Sequence, residues 1–394
     1  MTRAKSPEKA MTVAGIMSGT SADGIDVALV RISPGAQGPR LKLLHHEEMP
    51  FSKRLRAAVL ASMDAKSIST AELARLNWHL GIAYSEAVKQ TLRVHPAKIH
   101  LIGCHGQTIY HQATPALHAG RKFACTWQIG EMAILAAEIG VPVVSNFRPA
   151  DMVAGGQGAP LVPLLDFVFF RHATRGRVLQ NLGGIGNMTA IPPGASLAEV
   201  IAFDTGPANM LIDALTQTLF QKPYDRNGAI AARGSVLPSA LREAMRHSFF
   251  RKKVPKSAGR EEFGTDFAAE FLRLCRVASK RPEDAVATAT ALTACSIAAA
   301  YDRFVKPGMN EVRVDFLISG GGARNPMLVA MLRSALVPFG CAVATTEDAG
   351  MPTQAKEAMA FALLAYETWH RRPGNVPAAT GARHPAILGE ITYA

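Results

Sequence analysis

The sequence predicts an α/β protein built from two related domains, and three observations carry that expectation. The chain has 394 residues, which is long for a single hydrophobic core. Short apolar runs of strand length alternate with helical stripes along its length. A hairpin of one kind, apolar–glycine-rich–apolar, opens the chain and recurs about 165 residues further on, which points to two halves closing on one ligand.

The first hairpin is Val13 to Val30, VAGIMSGTSADGIDVALV. Two apolar runs separated by a Gly/Ser/Thr/Asp cluster read as strand, turn, strand. The tip carries Ser18, Gly19, Thr20, Ser21, Asp23 and Gly24. Such a tip suits a phosphate, because glycine lets backbone N–H groups approach an anion while hydroxyls add donors. Asp23 and Asp26 can hold Mg²⁺ directly or through water. An ordinary tight turn favours the same residues, so the stretch alone leaves both readings open.

LKLLHHEEMPF then adds a strand, and Ser52 to Val94 reads mainly as helix, with Leu73, Leu76, Leu80, Ala83, Ala87 and Val88 on one stripe. Ile99 to Gly103 is a short buried strand ending in Cys104-His-Gly-Gln-Thr108. Side chains past the carboxyl end of a parallel strand face the usual ligand crevice of an open sheet. His105 and Gln107 are therefore candidates for sugar hydroxyls, with capping or core satisfaction as the alternative. Ile129 to Ile139 reads as a helix closed by Gly140, and Val141 to Ser145 as the next strand. Arg148 follows it beside a glycine-rich turn, where a guanidinium can take a carboxylate or phosphate in a bidentate grip or pair with Asp151.

The second hairpin is Arg177 to Ile191, RVLQNLGGIGNMTAI. Next, in VIAFDTGPANMLIDAL, Asp204 ends a strand and Pro207 opens a helix. A carboxylate at such a junction can act as a general base or as a cap. A single Asp-Thr-Gly disfavours the aspartic-protease dyad, which needs two such aspartates. Val314 to Ser319 is a buried strand that runs into Gly320-Gly-Gly-Ala-Arg-Asn325 and a helix, a place for a nucleotide against bare backbone. Lys356 to Tyr366 is a final amphipathic helix whose Glu357 is expected to face the crevice, and the Pro/Gly-rich tail is expected to wrap back.

Composition narrows the class. With 48% hydrophobic and 19% charged residues the chain is globular rather than disordered. The excess of 43 basic over 31 acidic side chains favours anionic partners: nucleic acid is one candidate, and nucleotides and carboxylated or phosphorylated small molecules fit equally well. The densest basic run, Arg246 to Arg260, reads as a solvated face. Five scattered cysteines with no CxxC pair argue for a reducing compartment. The charged N-terminus lacks the apolar core of a signal peptide, and Ala285 to Tyr301 reads as a buried helix rather than a membrane span. The expectation is a cytoplasmic protein with no membrane and no nucleic-acid partner. No GxxxxGK[ST], HRD/DFG pair or GxSxG occurs, which disfavours P-loop ATPases, protein kinases and α/β-hydrolases.

Taken in order, GIMSGTSADGID, CHGQT, NFRPADMVAGGQGAPLVP, NLGGIGN, AFDTGPANMLID, SGGGARN and KEAMAFALLA closely resemble the anhydro-N-acetylmuramic acid kinase family of the actin/Hsp70/sugar-kinase superfamily. The resemblance implies two ribonuclease-H-like domains around a central nucleotide cleft, with ATP and Mg²⁺ as cofactors and a homodimer as the working form. The domains are expected at 1–145 and 146–394, with the final helix, about 356–370, packing back on the first. The implied reaction opens 1,6-anhydro-N-acetylmuramic acid with water while O6 receives the γ-phosphoryl group, in peptidoglycan recycling. Asp204 matches the family's proposed base.

Three motifs are implied to bind ATP or its phosphates. They are the first hairpin (Gly15, Ser18, Gly19, Thr20, Ser21, Asp23, Gly24), the second (Asn181, Gly183, Gly184, Gly186, Asn187) and the adenosine-side motif (Gly320, Gly321, Gly322, Asn325). His105, Gln107, Arg148 and Glu357 are the substrate candidates, and Asp23 and Asp26 the metal candidates. Two departures stand out: Ala22 and Ala208 replace the leucine of GTSLDG and the second glycine of GPGN. The alternatives kept are a kinase of the same superfamily for another sugar, and a non-catalytic nucleotide- or nucleic-acid-binding protein.

Overall fold

The computed structural model describes residues 9–35, 38–63, 65, 67–309 and 312–394; the charged stretch at residues 1–8 read above lies outside them. Contacts divide the chain into two units. The first comprises Met1–Phe169 and Gln354–Ala394, the second Phe170–Thr353. The division falls at 169/170 rather than at 145, because the chain after the sixth strand stays with the first unit.

In chain order the first unit has β1 (Met11–Ser18), β2 (Gly24–Ser33), β3 (Arg40–Pro50), α1 (Lys53–Met63), α2 (Thr70–Val94), β4 (Leu101–His118), β5 (Arg121–Ile129), α3 (Met132–Ile139), β6 (Val143–Ser145), α4 (Arg148–Val153) and α5 (Pro163–Phe170). The second has β7 (Gly176–Leu182), β8 (Ile185–Ile191), β9 (Ile201–Pro207), α6 (Asn209–Phe220), α7 (Pro238–Ala244), α8 (Arg260–Phe263), α9 (Thr265–Ala278), α10 (Pro282–Ala300), β10 (Val314–Ser319), α11 (Pro326–Leu336) and β11 (Ala342–Thr345). The chain then returns to the first unit as α12 (Lys356–Trp369), α13 (Pro377–Thr380) and β12 (Glu390–Thr392).

Each sheet repeats one topology. In the first, β1, β2 and β3 form an antiparallel meander, and β4 and then β6 add in parallel on the other side of β1. The tail strand β12 closes the edge antiparallel to β6, so the order is β12-β6-β4-β1-β2-β3. In the second, β7-β8-β9 is the meander and β10 and β11 are the parallel additions, giving β11-β10-β7-β8-β9. A meander followed by two parallel strands beside its first strand is the ribonuclease-H-like topology, here present twice.

Local chemistry explains the elements. α2 begins with a capping box, Ser69 with Glu72, and buries Leu76, Leu80, Tyr84 and Val88 against Ile16, Val27 and Leu29 of the sheet. α3 ends at Gly140 in the left-handed conformation, φ 75°. On the opposite face α12 is buried all round from Ala358 to Thr368 rather than amphipathic. It lies at backbone distance from the sheet: a Cβ at Gly15 would sit 1.8 Å from the Ala358 carbonyl oxygen, and one at Gly103 would sit 2.1 Å from that of Phe361. In the second unit α10 is the central core helix. By length and composition Pro282–Gly308 can cross a membrane, but 89% of its apolar window is buried.

Four further sequence expectations need correction. β4 does not stop at Gly103 but runs through Cys104–Thr108 to His118 and pairs with β5 in a long hairpin. Its outer half, with Pro115 inside it, is polar and exposed, so it lacks the alternation that marks a half-buried strand. Ile129 therefore closes β5 instead of opening a helix. Asp204 sits within β9 rather than at its end, and Pro207 belongs to that strand, with α6 starting at Asn209. The basic run 246–260 is not a free solvated face, since Phe249 and Lys256 within it are buried.

Gly15→Ala forces a methyl into the α12 backbone and is expected to cost about 1–3 kcal/mol by urea denaturation. Gly308→Ala, whose Cβ would meet nothing within 4 Å, is the control and should stay within about 0.5 kcal/mol of the parent.

Candidate active site

In the first unit, the β1–β2 tip leaves Thr20, Ser21 and Asp23 exposed. The tip is fastened from below. Gln107 is fully buried, and its Nε2 donates to the Gly19 carbonyl at 3.1 Å. The buried Ser18 hydroxyl bonds the Tyr84 hydroxyl at 2.8 Å. Ala22 takes φ 53°, and its N–H donates to the Gly19 carbonyl at 3.1 Å. Asp26 Oδ1 is 2.9 Å from His46 Nε2, and its Oδ2 has no partner among the described residues. Asp23 pairs loosely with Arg56 at 3.4 Å. One or two hard carboxylates beside a hydroxyl-rich tip fit Mg²⁺, which keeps most of its waters and takes few protein ligands.

Beside the tip stands an ordered relay. His105 Nδ1 lies 2.7 Å from the Gly106 carbonyl oxygen and must be the ring donor. Its Nε2 then accepts from Arg148 Nε at 3.0 Å. That pairing requires a neutral ring, and burial first and the Arg148 charge second lower the imidazole's affinity for a proton. Arg148 Nη1 donates to the Gly158 carbonyl at 2.7 Å, while Nη2 has no partner among the described residues. The Gly158 N–H in turn donates to the buried Asp151 at 2.8 Å. Asp151 is held further by Asn375 at 2.8 Å and Thr380 at 2.7 Å. Burial works against the Arg148 charge, and Glu357 and Asp151 offset it. Glu357, in the first turn of α12, keeps accessible surface. Its carboxyl is nonetheless pushed up by burial and by Asp26, with Arg148 and Lys356 pulling it down.

In the second unit a cavity of about 370 Å³ is lined by Asn209 and Asp213 of α6, the turn Tyr224–Asn227, and Gly321 with Arg324. Its size and mixed lining suit a small ligand. Asp213 is pushed up to about 6, by burial first and the neighbouring Asp225 second. Asp225 itself is spent on structure, accepting from the Ile230 and Ala231 N–H groups at 2.8 and 3.0 Å. On β9, Asp204 Oδ2 accepts from the Ala258 N–H at 2.7 Å. The backbone N–H of Asp204 donates to the Lys256 carbonyl at 2.9 Å.

The structure sorts the predicted residues. A Cβ at Gly15, Gly24, Gly186, Gly320 or Gly322 would come nearer than 3.0 Å to a protein atom, so these positions serve packing. Asn325 caps α11, accepting from Met327 and Leu328 N–H. Ser18 is spent on Tyr84. Gly19, Thr20, Ser21 and Asp23 at the first tip, Asn181, Gly183, Gly184 and Asn187 around the second, and Gly321 at the cavity remain as ligand candidates. The carbonyls of Gly183 and Gly184 already accept the N–H groups of Ala208, Asn209 and Met210, which ties the second tip to the start of α6. His105 and Gln107 stand one layer behind the surface and hold Arg148 and the first tip. Arg148 forms no direct bond with Asp151 but reaches it through Gly158.

Sequence reasoning missed Tyr84, Asp213, Tyr224, Arg226, Asn227 and Arg324. The turn QKPYDRNG was visible, but only the fold brings it beside Gly321. All five cysteines are free, and burial pushes Cys104 and Cys275 up to about 12, so these two thiols are inert. Among the described residues no three His, Cys, Asp or Glu side chains gather into a metal cluster.

The sequence model of the anhydro-N-acetylmuramic acid kinase family matches residues 11–394. An anhydro-N-acetylmuramic acid kinase of Bacillus cereus is 46% identical over 386 residues, covering 97% of this chain and 99% of that protein. One from Bacillus thuringiensis subsp. konkukian is 44% identical over 386 residues, with 97% and 99% covered. Among solved structures, the activator of the 2-hydroxyisocaproyl-CoA dehydratase from Clostridium difficile with bound ADPNP is similar at TM-score 0.42 and 13% identity, covering 92% of this chain and 96% of that one.

Asp213 generates a stability prediction. Its folded-state affinity for a proton is raised, so ionising it above about pH 6 costs stability that is not lost below the unfolded value near 3.9. Asp213→Asn should therefore raise the melting temperature of the nucleotide-free protein at neutral pH. The gain should shrink as pH falls through 6 and vanish below about pH 4, as measured by calorimetry.

Proposed function

The chain belongs to the anhydro-N-acetylmuramic acid kinase family, and we propose that it acts as that kinase through the residues gathered above. The match over residues 11–394, with Asp204 fixed on β9 by two backbone hydrogen bonds, is the observation that carries the reading. The substrates are ATP and 1,6-anhydro-N-acetylmuramic acid, and the products ADP and N-acetylmuramic acid 6-phosphate, in peptidoglycan recycling.

A water oxygen attacks the anomeric carbon and gives a proton to Asp204, the bond from that carbon to O6 breaks, and O6 takes the γ-phosphoryl group as its bond to ADP breaks. A neutral water attacking an acetal carbon must lose a proton, and a positioned carboxylate is suited to take it. Phosphoryl transfer needs mainly positioning and charge stabilisation. In the first unit the exposed Thr20 and Ser21 hydroxyls and the Gly19 backbone offer donors to phosphate oxygens; in the second unit the bare backbone of Gly183 and Gly184 offers such donors. The cavity lined by Asp213, Tyr224, Asn227 and Gly321 takes the nucleoside. Asp26 and Asp23 would hold Mg²⁺ through water, and the ion would neutralise phosphate charge there.

Arg148 binds the lactyl carboxylate of the sugar. The supporting geometry is its Nη2 edge, left open while Nε and Nη1 are fixed on His105 and Gly158. Glu357 accepts from a sugar hydroxyl. A homodimer and a cytoplasmic setting complete the reading, and five unpaired cysteines support a reducing compartment.

Incubation with ATP, Mg²⁺ and the anhydro sugar should release ADP and give a product heavier by one phosphoryl group and one water, with label from H₂¹⁸O at the anomeric carbon. A product that gains phosphoryl alone would make this an ordinary sugar kinase. Asp204→Asn should keep ATP and sugar binding but cut turnover by about 10²–10⁴; near-normal turnover would leave Asp204 structural. Arg148→Met should raise KM about tenfold or more for the lactyl-bearing sugar, and much less for an anhydro sugar lacking the carboxylate. An equal rise for both would remove Arg148 from carboxylate recognition.

A further inference from the structure

The basic segment 246–260 is strapped across β9 at the level of Asp204. Two backbone bonds flank Lys256: its own carbonyl accepts the Asp204 N–H at 2.9 Å, and two residues on the Ala258 N–H donates to Asp204 Oδ2 at 2.7 Å. The same segment locks onto the strand by shape. At Gly206, φ 138°, a Cβ would lie 2.7 Å from the Phe250 ring, so only glycine admits that ring.

What anchors the strap is the Lys256 side chain, only 8% exposed. Its Nζ donates to the Phe249 carbonyl at 3.2 Å. It lies 4.4 Å from the centroid of the Phe249 ring and 5.3 Å from that of Phe304, a cation–π seat between two aromatic faces. The charged groups facing it are Arg303 from the end of the α10 segment, Lys252 from the strap and Asp204 from β9. Lys252 is itself paired with Glu262.

We propose that Lys256 is the positioning residue for Asp204, its buried ammonium pinning the strap whose backbone fixes the carboxylate in line with the attacking water. The proposal rests on the reading of Asp204 as the base. Lys256 does not touch substrate; it acts through Ala258 N–H and through its own carbonyl.

The seat is also titratable. Burial first, then Arg303, bring Lys256 down to about 8, against the pull of Asp204, with Lys252 adding to the fall. Its charge is present below about pH 8 and is lost as pH rises through that value, so turnover should acquire an alkaline limb there. The limb is not unfolding. The unfolded lysine holds its proton to about pH 10.4, so between these values the unfolded chain binds more protons and this group's contribution to stability rises with pH.

The test compares Lys256→Met, Lys256→Arg and Asp204→Asn, measuring kcat, both KM values and melting temperature from about pH 6 to about 9.5. Lys256→Met should lower kcat about 10–100-fold, leave both KM values within about twofold, flatten the alkaline limb and melt no lower than the parent, since a buried charge has been removed. Lys256→Arg should keep most of kcat and move the limb upward. Wild-type kcat and an unchanged limb in Lys256→Met, with Asp204→Asn inactive, would overturn this proposal alone. An active Asp204→Asn would overturn the base assignment and this proposal with it. If Lys256→Met does not fold, a limb in Lys256→Arg still at the wild-type position would overturn the proposal.

Discussion

The backbone-to-backbone approach of α12 to the first sheet is the constraint on which that unit's site depends. Gly15 on β1 and Gly103 on β4 have no side chains to hold the helix off, and the Ala358 and Phe361 carbonyls occupy the space their Cβ atoms would need. Helix–sheet layers are normally kept apart by side chains, so this contact lowers α12 onto the sheet and sets its first turn beside the strands. Glu357 thereby comes under the electrostatic influence of Arg148 and Asp26, residues far from it in sequence. From Ala358 to Thr368 the helix is buried on every side, and its segment returns to the first unit only after the whole second unit has been built.

The polar groups of the first unit show how a buried network can be specific without being costly. His105, Arg148, Gly158 and Asp151 are joined donor to acceptor, and Asn375 and Thr380 from the tail complete the carboxylate's partners. A satisfied network of this kind rigidifies its members, whereas one missing partner leaves a desolvated charge. Arg148 emerges with two nitrogens committed and one edge open. That arrangement is preorganised for an anion, because the cost of ordering a long side chain has been met during folding.

The second unit uses the same topology with a different set of side chains. Its meander carries Asp204 on the third strand, and the carboxylate accepts from the Ala258 N–H of a segment some fifty residues later. That segment is basic and aromatic, and its apparent surface character dissolves once Phe249 and Lys256 are seen to be buried. The cavity beside α6 draws its walls from a helix, a turn and a glycine loop that share no local sequence signal. In both units the glycines divide by role. Those within strands admit a neighbouring backbone or side chain, and those at the tips stay open to a ligand.

The sequence by itself determined the strand–turn–strand hairpins, the meander strands, the capping box of α2, the buried character of α10 and the family. Each of these is written in local periodicity, turn chemistry or a run of ordered motifs. It also singled out Asp204 and Arg148 as candidates for the site. Tertiary structure alone decided what those residues touch: that Asp204 lies inside a strand under a basic strap, that His105 accepts from Arg148, and that the α12 backbone fills the space beside Gly15. It also decided the β4–β5 hairpin, whose polar outer half carries no alternation, and the boundary between the units. The physical reason is common to all of them. Hydrogen-bond partners and close packing join residues distant in the chain, and no window of sequence contains both sides of such a contact.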